Sequence, residues 1–120
     1  MPWKYSQLTG QLTRNNKTVA TGYSGKGAGK NNSAMESVSA MGPIPRGRYR
    51  IGPQYKHPSK GDITMALTPI GHVALGRSHF LIHGDSVSHP GSASEGCVIL
   101  NRTARQTIAT SGDNELEVIK

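Results

Sequence analysis

One cysteine and one histidine, fourteen positions apart, are the side chains of this sequence best suited to covalent chemistry. Cys97 is the only cysteine of the 120 residues and directly follows Gly96, while His83 ends the apolar run Phe80-Leu81-Ile82 and precedes Gly84. A thiol attacks as the thiolate, and a neighbouring imidazole supplies that form by accepting the proton, which gives an ion pair. The two residues therefore predict a cysteine nucleophile with a histidine base.

The residues beside the cysteine add to this interpretation. Gly96 lets the backbone approach closely, and the amides around Gly96 and Cys97 can donate to the oxyanion that forms when a thiolate attacks a carbonyl. The alternative is structural, because free cysteines are often buried in cores and a histidine on an apolar strand is often a packed residue.

Short strands joined by turns must position these side chains. Apolar and polar residues alternate, or apolar runs recur, at 3–6, 11–14, 17–24, 63–68, 72–75, 80–83 and 115–119. Within 42–52, two prolines and a glycine predict a turn that leads into a strand with Tyr49 and Ile51 on one face. Asn15-Asn16 predicts a hairpin turn. Asn101 as N-cap and Gly112 beyond the last turn predict a helix over 101–111. The sequence thus predicts a mainly β sandwich or barrel with one short helix after Cys97, as a single domain spanning residues 1–120.

The charge balance limits the classes of partner. A net charge of +7 predicts attraction to polyanions, whether nucleic acid, anionic lipid or an acidic polymer of glycan and peptide. One Trp, four Tyr and one Phe do not form the clustered rings of an RNA-binding sheet, which argues against nucleic acid. Arg46, Arg48 and Arg50 alternate along a predicted strand, either as a solvated face or as an anion-binding stripe.

The first residues and the apolar runs bear on targeting. Residues 1–7 are not followed by an apolar segment, which predicts synthesis without a Sec-type signal peptide. No apolar run approaches the roughly 18 residues of a membrane span, so we expect no membrane insertion. A single cysteine permits no disulfide within the chain.

The order and spacing of the motifs resemble those of L,D-transpeptidases. Ile82-His83-Gly84 followed by Ser94-Glu95-Gly96-Cys97 is similar to that family's histidine-glycine and serine-x-glycine-cysteine signature. The segment 42–51, with Pro45, Gly47, Tyr49 and Ile51, resembles its proline-x-glycine-x-aromatic-x-isoleucine strand. The segments 21–25, 29–32, 83–86, 90–91 and 93–97 are more similar still to the small L,D-transpeptidase-like effectors that type VI secretion systems inject into rival bacteria.

The resemblance implies a role for each motif residue. Cys97 is the expected nucleophile and His83 the general base, with its imidazole oriented by a carbonyl at Gly84 or Asp85. The expected substrate is a peptidoglycan tetrapeptide stem, cleaved between meso-diaminopimelate and D-Ala. Transfer to water gives a tripeptide, and transfer to another D-amino acid gives exchange. No cofactor or metal is expected.

Two positions depart from the resemblance. Many L,D-transpeptidases carry a histidine two residues before the cysteine and an arginine two residues after it, whereas this chain has Glu95 and Ile99. These differences argue against ordinary wall crosslinking and leave recognition of the substrate carboxylate unassigned. Arg102 is the candidate anchor, its alternative being an exposed helix arginine. Ser94 either hydrogen-bonds near the site or shapes a turn.

Partners and location follow from the same resemblance. The expected partners are peptidoglycan stems, a secretion apparatus and a cognate immunity protein. The protein is expected to be made in the bacterial cytoplasm, secreted, and active in the periplasm of a target cell as an antibacterial toxin.

Two further readings stay open at this point. In the first, His79 and His83, four apart on a strand and so on one face, bind zinc with His89 or Cys97, and Asp85 or Glu95 serves as general base. The second is a non-enzymatic basic module for glycan or nucleic acid, in which Cys97 and His83 are packed structural residues.

Overall fold

The computed structural model describes residues 2–120, which form ten strands and one helix. The strands are β1 (Trp3–Ser6), β2 (Gln11–Arg14), β3 (Lys17–Thr21), β4 (Tyr23–Ser24), β5 (Gly47–Ile51), β6 (Tyr55–His57), β7 (Gly61–Ile70), β8 (Phe80–His83), β9 (Val98–Ile99) and β10 (Glu115–Ile119), and the helix is α1 (Arg102–Thr110). Single turns of 3-10 helix lie at Gly27–Gly29, Ser33–Met35 and Ala74–Gly76. The mainly β prediction with one helix after Cys97 is confirmed.

The strands form one curved sheet that nearly closes on itself. Its order is β3-β2-β1-β10-β5-β7-β8-β9-β4, and β6 pairs only with β7. β3 and β4 are the two edge strands, yet Gly22 alone separates them in the chain. The edges must therefore approach each other, which gives the sheet its barrel-like shape. A side chain at position 22 would collide with the carbonyl oxygen of Ile99.

Inward-facing side chains fill the sheet because strand residues alternate between its two faces. Trp3 and Tyr5 on β1, Tyr49 and Ile51 on β5, and Leu116 and Val118 on β10 are all buried. The helix α1 adds Ala104 and Ile108, which are four residues apart on one face, to the same core. The core therefore supports β8 and β9 from behind.

Local turn and cap chemistry is as the sequence predicts. Asn15 and Asn16 have φ values of 54° and 63° and join β2 to β3, with Arg14 paired to Lys17. The side chain of Asn101 accepts a hydrogen bond of 2.8 Å from the amide of Ala104, which caps α1.

The strand predicted at 72–75 is wrong. The amide of Ala74 donates to Nδ1 of His72 at 3.1 Å, and Ala74 and Leu75 have φ values of 49° and 55°. This side-chain hydrogen bond and the left-handed backbone form a 3-10 turn. β6 has no counterpart among the predicted strands, because its residues Tyr55–His57 are largely exposed and lack an apolar alternation.

The arginines near β5 lie on a solvated face. Arg46 pairs with Glu36 at 2.6 Å, and Arg48 pairs with Glu115 at 2.8 Å. Two of the three arginines are thus already paired with carboxylates of the protein. This pairing favours a solvated face over an anion-binding stripe.

Candidate active site

Two parallel strands bring His83 and Cys97 to one region. Ile82 pairs with Val98 and His83 with Ile99, and Cys97 immediately precedes β9. Extending this register by one residue places Cys97 beside Leu81, on the face of the sheet that His83 shares. The offset between the two positions is about 6.6 Å along the strands and about 4.8 Å across them, from ordinary strand geometry.

His83 is held as a neutral imidazole with one nitrogen available. It is 1% exposed, and its Nδ1 lies 2.8 Å from the carbonyl oxygen of Gly84. A carbonyl only accepts, so Nδ1 carries the proton and Nε2 carries the lone pair. Within residues 2–120, Nε2 is buried and has no hydrogen-bond partner. Burial lowers the pKa of His83, the Gly84 carbonyl opposes this shift, and the charge of Lys60 adds to it.

Cys97 is a partly buried thiol close to the same strand. Its Sγ lies 3.9 Å from the carbonyl oxygen of His79. Burial raises the pKa of Cys97, while the backbone of Leu81 and the charge of Lys60 act to lower it. Among the described residues, no hydrogen bond joins Sγ to the ring of His83. Both pKa directions favour a neutral thiol and a neutral imidazole at rest over the ion pair predicted from the sequence.

Ser94 organises the loop that leads into the cysteine. Its fully buried hydroxyl donates to the carbonyl of Cys97 at 2.6 Å and accepts from the amides of Gly25 at 2.8 Å and Gly96 at 3.1 Å. Ser94 thus sets the backbone on both sides of the cysteine. The Gly96 amide, one of the oxyanion donors predicted from the sequence, is engaged by this contact.

Glycine is required at position 96, both because of the backbone conformation there and because neighbouring side chains leave no room for a Cβ. Its φ is +133°, and a Cβ there would lie 2.6 Å from a guanidinium nitrogen of Arg77 and 3.1 Å from the ring of Phe80. Any side chain at this position would displace the loop that carries Cys97.

Two buried arginines, which were not among the predicted site residues, hydrogen-bond to the backbone segments around the site. Arg77 donates to the carbonyls of Glu36 at 2.7 Å, Pro43 at 2.7 Å, Gly42 at 3.1 Å and Glu95 at 3.1 Å. Arg105 donates to the carbonyls of Leu100 at 3.1 Å and Asp62 at 2.7 Å. Neither belongs to a sequence motif, and both act on backbone carbonyls that only the fold brings together.

Close packing also requires glycine at position 84. A Cβ at this position would lie 2.8 Å from a guanidinium nitrogen of Arg105. The close approach of Arg105 fixes the backbone whose carbonyl accepts from His83.

Asp85 anchors a loop and does not contact His83. Its carboxylate accepts from the hydroxyl of Tyr23 at 2.6 Å and from the amides of Ser86 at 2.8 Å and Gly91 at 3.1 Å. The Tyr23 hydroxyl in turn accepts from the amide of Ala93 at 2.9 Å. Burial, followed by the hydrogen bond to Asp85, raises the pKa of Tyr23 to about 12. The carbonyl of Gly84 is therefore the one that contacts the imidazole.

Two adjoining cavities open at this face. The larger, about 710 Å³, has His83 in its wall, and the smaller, about 280 Å³, has Cys97 in its wall. Lys60, Ala93 and Glu95 line both cavities and so mark their boundary. Glu95 pairs with Lys26 at 2.9 Å, which lowers the pKa of Glu95. The imidazole and the thiol therefore line neighbouring cavities that share this boundary.

Comparison with protein families identifies the chain. The model of the Tlde1 domain matches residues 18–119. The chain belongs to the Tlde1 domain family. This is a family of type VI secretion effectors, so the protein is an effector of the antibacterial toxin class, with a secretion apparatus and an immunity protein as implied partners. No curated protein matches the chain.

The match covers the region that contains the candidate site of this Tlde1 domain. It begins within β3 and extends through β10, and thus includes His83, Cys97 and Ser94. Across residues 2–120 no helix is both long enough and apolar enough to span a membrane.

Arg102, the predicted carboxylate anchor, is not at the site of the Tlde1 domain. Its guanidinium pairs with Asp62 at 2.8 Å on the exposed side of α1, and it lines neither of the two cavities. The exposed-helix alternative describes it better.

The zinc alternative lacks a ligand set in the described part of the Tlde1 domain. No three His, Cys, Asp or Glu side chains of residues 2–120 lie close enough to hold a metal ion. His79 precedes β8 and has a φ of 65°, so the strand periodicity that would place it on the face of His83 does not apply.

Proposed function

We propose that this Tlde1 domain, residues 1–120, is a cysteine-dependent L,D-carboxypeptidase and L,D-transpeptidase that modifies peptidoglycan stems. The bond attacked joins meso-diaminopimelate at position three to D-Ala at position four. One observation carries the proposal. The thiol of Cys97 lies beside the strand that ends at His83, and Nε2 of His83 has no hydrogen-bond partner among residues 2–120. The hydrogen bond between Nδ1 and the Gly84 carbonyl supports His83 as the base, because it fixes the tautomer.

The reaction would proceed through a thioester. Nε2 of His83 takes the proton of the Cys97 thiol as Sγ attacks the carbonyl carbon of diaminopimelate. The C–N bond to D-Ala then breaks, and the leaving amine takes the proton from the imidazolium. Water attacking the thioester releases the tripeptide, and the amine of another D-amino acid restores a tetrapeptide. In both cases His83 accepts the proton of the attacking group and the thiol is regenerated.

The pKa directions support a first proton transfer that is concerted with attack. A raised pKa for Cys97 and a lowered pKa for His83 keep both groups neutral before the substrate binds. The proton therefore moves during attack, as in general-base catalysis. Rotation of the thiol about its Cα–Cβ bond toward His83 is part of the proposal, since catalytic hydrogen bonds often tighten only when the substrate is bound.

The amide of Cys97 is the proposed oxyanion donor. The Gly96 amide is engaged by Ser94 at 3.1 Å, so it does not serve this role without a rearrangement of the loop. Through its bond of 2.6 Å to the Cys97 carbonyl, Ser94 orients the peptide units around the nucleophile.

The site of action we propose is the periplasm of a target cell. Type VI delivery is consistent with this location, and peptidoglycan stems are found there. The net charge of +7 favours association with a polymer rich in carboxylates.

The proposal is tested with purified tetrapeptide muropeptides and a free D-amino acid. We expect the wild type to release or exchange D-Ala, as followed by mass spectrometry of the stems. Cys97→Ala and His83→Gln should abolish both reactions, while Lys56→Gln, which alters an exposed residue of β6 outside both cavities, serves as the control. Unchanged stems with the wild type, or turnover by Cys97→Ala, would reject the mechanism.

A further inference from the structure

We propose that Lys60 binds the carboxylate of the leaving D-amino acid and so restricts the enzyme to stems with a free C-terminus. The inference rests on the proposed function. Lys60 is an exposed residue of the turn between β6 and β7, and it lines both the cavity of Cys97 and the cavity of His83.

Around the two cavities, Lys60 differs from the other cations because its ammonium has no hydrogen-bond or ion-pair partner among the described residues. Lys26 is paired with Glu95 at 2.9 Å, and Arg102 with Asp62 at 2.8 Å. The guanidinium groups of Arg77 and Arg105 are directed at backbone carbonyls. Within residues 2–120, no hydrogen bond or ion pair involves Nζ of Lys60, so its ammonium is available to an anionic ligand.

The backbone that carries Lys60 is nevertheless fixed. Nδ1 of His57 accepts from the amides of Ser59 and Lys60, both at 3.1 Å. This arrangement holds the turn at the mouth of the cavities while the long side chain stays free. The ammonium also acts on both reacting groups, since its charge lowers the pKa of Cys97 and of His83.

The chemistry of the proposed reaction decides which carboxylate Lys60 meets. The leaving amine must lie near Nε2 of His83, which returns the proton to it. The carboxylate of D-Ala is only two bonds from that amine, so its anchor must stand near the boundary between the two cavities. The side-chain carboxylate of diaminopimelate lies on the acyl side, several bonds from the attacked carbonyl. Lys60 lines the boundary and therefore fits the leaving group.

Two substrates that differ only in this group test the inference. Tetrapeptide stems with a free C-terminal carboxylate or with a C-terminal amide are compared for the wild type, Lys60→Met, Lys60→Arg and the control Lys56→Met on β6. We expect the wild type to prefer the free acid by about ten- to a hundredfold in kcat/KM, the usual effect of a charge-assisted hydrogen bond. Lys60→Met should lose this preference, because its kcat/KM should fall for the free acid and stay the same for the amide. Lys60→Arg should keep part of the preference, and Lys56→Met should keep all of it. The inference would be overturned if Lys60→Met lost equal kcat/KM on both substrates, or if the wild type did not prefer the free acid.

A second measurement needs no stem and separates the two hypotheses. The only cysteine is alkylated with anionic iodoacetate and with neutral iodoacetamide, and the ratio of the two rates reports the cation near Cys97. We expect Lys60→Met to lower this ratio by about fivefold, an effect of one nearby screened charge, and Lys56→Met to leave it unchanged. An unchanged ratio in Lys60→Met refutes the role of Lys60 even if the stems are cleaved. If the ratio falls in Lys60→Met but the wild type leaves the stems uncleaved, the proposed function is refuted. The conclusion that Lys60 attracts anions to this position would still hold.

Discussion

Replacing Ser94 by alanine tests whether one buried hydroxyl builds the nucleophile loop. The substitution removes three hydrogen bonds, to the amides of Gly25 and Gly96 and to the carbonyl of Cys97. At about 1 kcal/mol for each bond, we expect the free energy of unfolding to fall by about 3 kcal/mol. For a chain of this size, 1 kcal/mol corresponds to roughly 4 °C in Tm, so Tm should fall by about 12 °C.

Thermal unfolding followed by circular dichroism measures this loss, with Ser92→Ala as the control. Ser92 makes one exposed hydrogen bond, from its hydroxyl to the carbonyl of His89, and its replacement should change Tm by no more than about 2 °C. Turnover of tetrapeptide stems by Ser94→Ala should also fall at temperatures where the variant is fully folded, because the Cys97 carbonyl loses its fixed partner. A Tm within 3 °C of the wild type, as a rough limit set by the value of one hydrogen bond, would show that water replaces the hydroxyl and that the reasoning is wrong.

Three further measurements address the site and its support. Burial raises the pKa of Cys97, so its alkylation by iodoacetamide should be slow at pH 7 and should accelerate only at a pH above the range in which free cysteine thiols ionise; a rate that is already at its plateau at pH 7 would contradict a neutral resting pair. Burial raises the pKa of Glu36, but the hydrogen bonds from Arg46 and Gln7 and the charge of Arg46 together outweigh it and lower the pKa to about 2. Glu36 therefore stabilises the fold above its unfolded pKa and loses this effect as the pH falls toward about 2. Glu36→Gln should therefore cost about 1–2 kcal/mol at pH 7 in urea denaturation, and the difference from wild type should shrink between pH 5 and pH 2. Gly96→Ala should cost at least about 2 kcal/mol and slow the alkylation of Cys97, because its Cβ would meet Arg77; an unchanged Tm would contradict the tight packing at this glycine.

Local signals in the sequence were sufficient for much of the fold. Asn15-Asn16 supplies the positive φ values of a hairpin, and Asn101 supplies a helix cap, so both features follow from short-range chemistry. The apolar run that ends at His83 likewise predicted β8. Where a side chain redirected the backbone, as His72 does through the amide of Ala74, alternation misled the prediction of a strand.

The arrangement of the site depends on contacts that no local pattern specifies. His83 and Cys97 are recognisable from their residue types and spacing, but their position relative to each other depends on the parallel register of β8 and β9. The engagement of the Gly96 amide by Ser94 became visible only with the loop in place. Lys60 was missed because it follows β6, a strand without alternation, and reaches the site only through the pairing of β6 with β7.

The position of β10 has a consequence for folding during synthesis. β10 lies between β1 and β5, with Trp3 paired to Leu116 and Tyr49 also paired to Leu116 on the other side. Residues 3–6 can therefore join β5 through the sheet only after residues 115–119 have emerged from the ribosome. Closing so long a loop slows folding. The sheet should consequently remain incomplete and susceptible to proteases until β10 is made, and limited proteolysis of stalled nascent chains of increasing length would reveal a sharp gain in resistance once β10 is released.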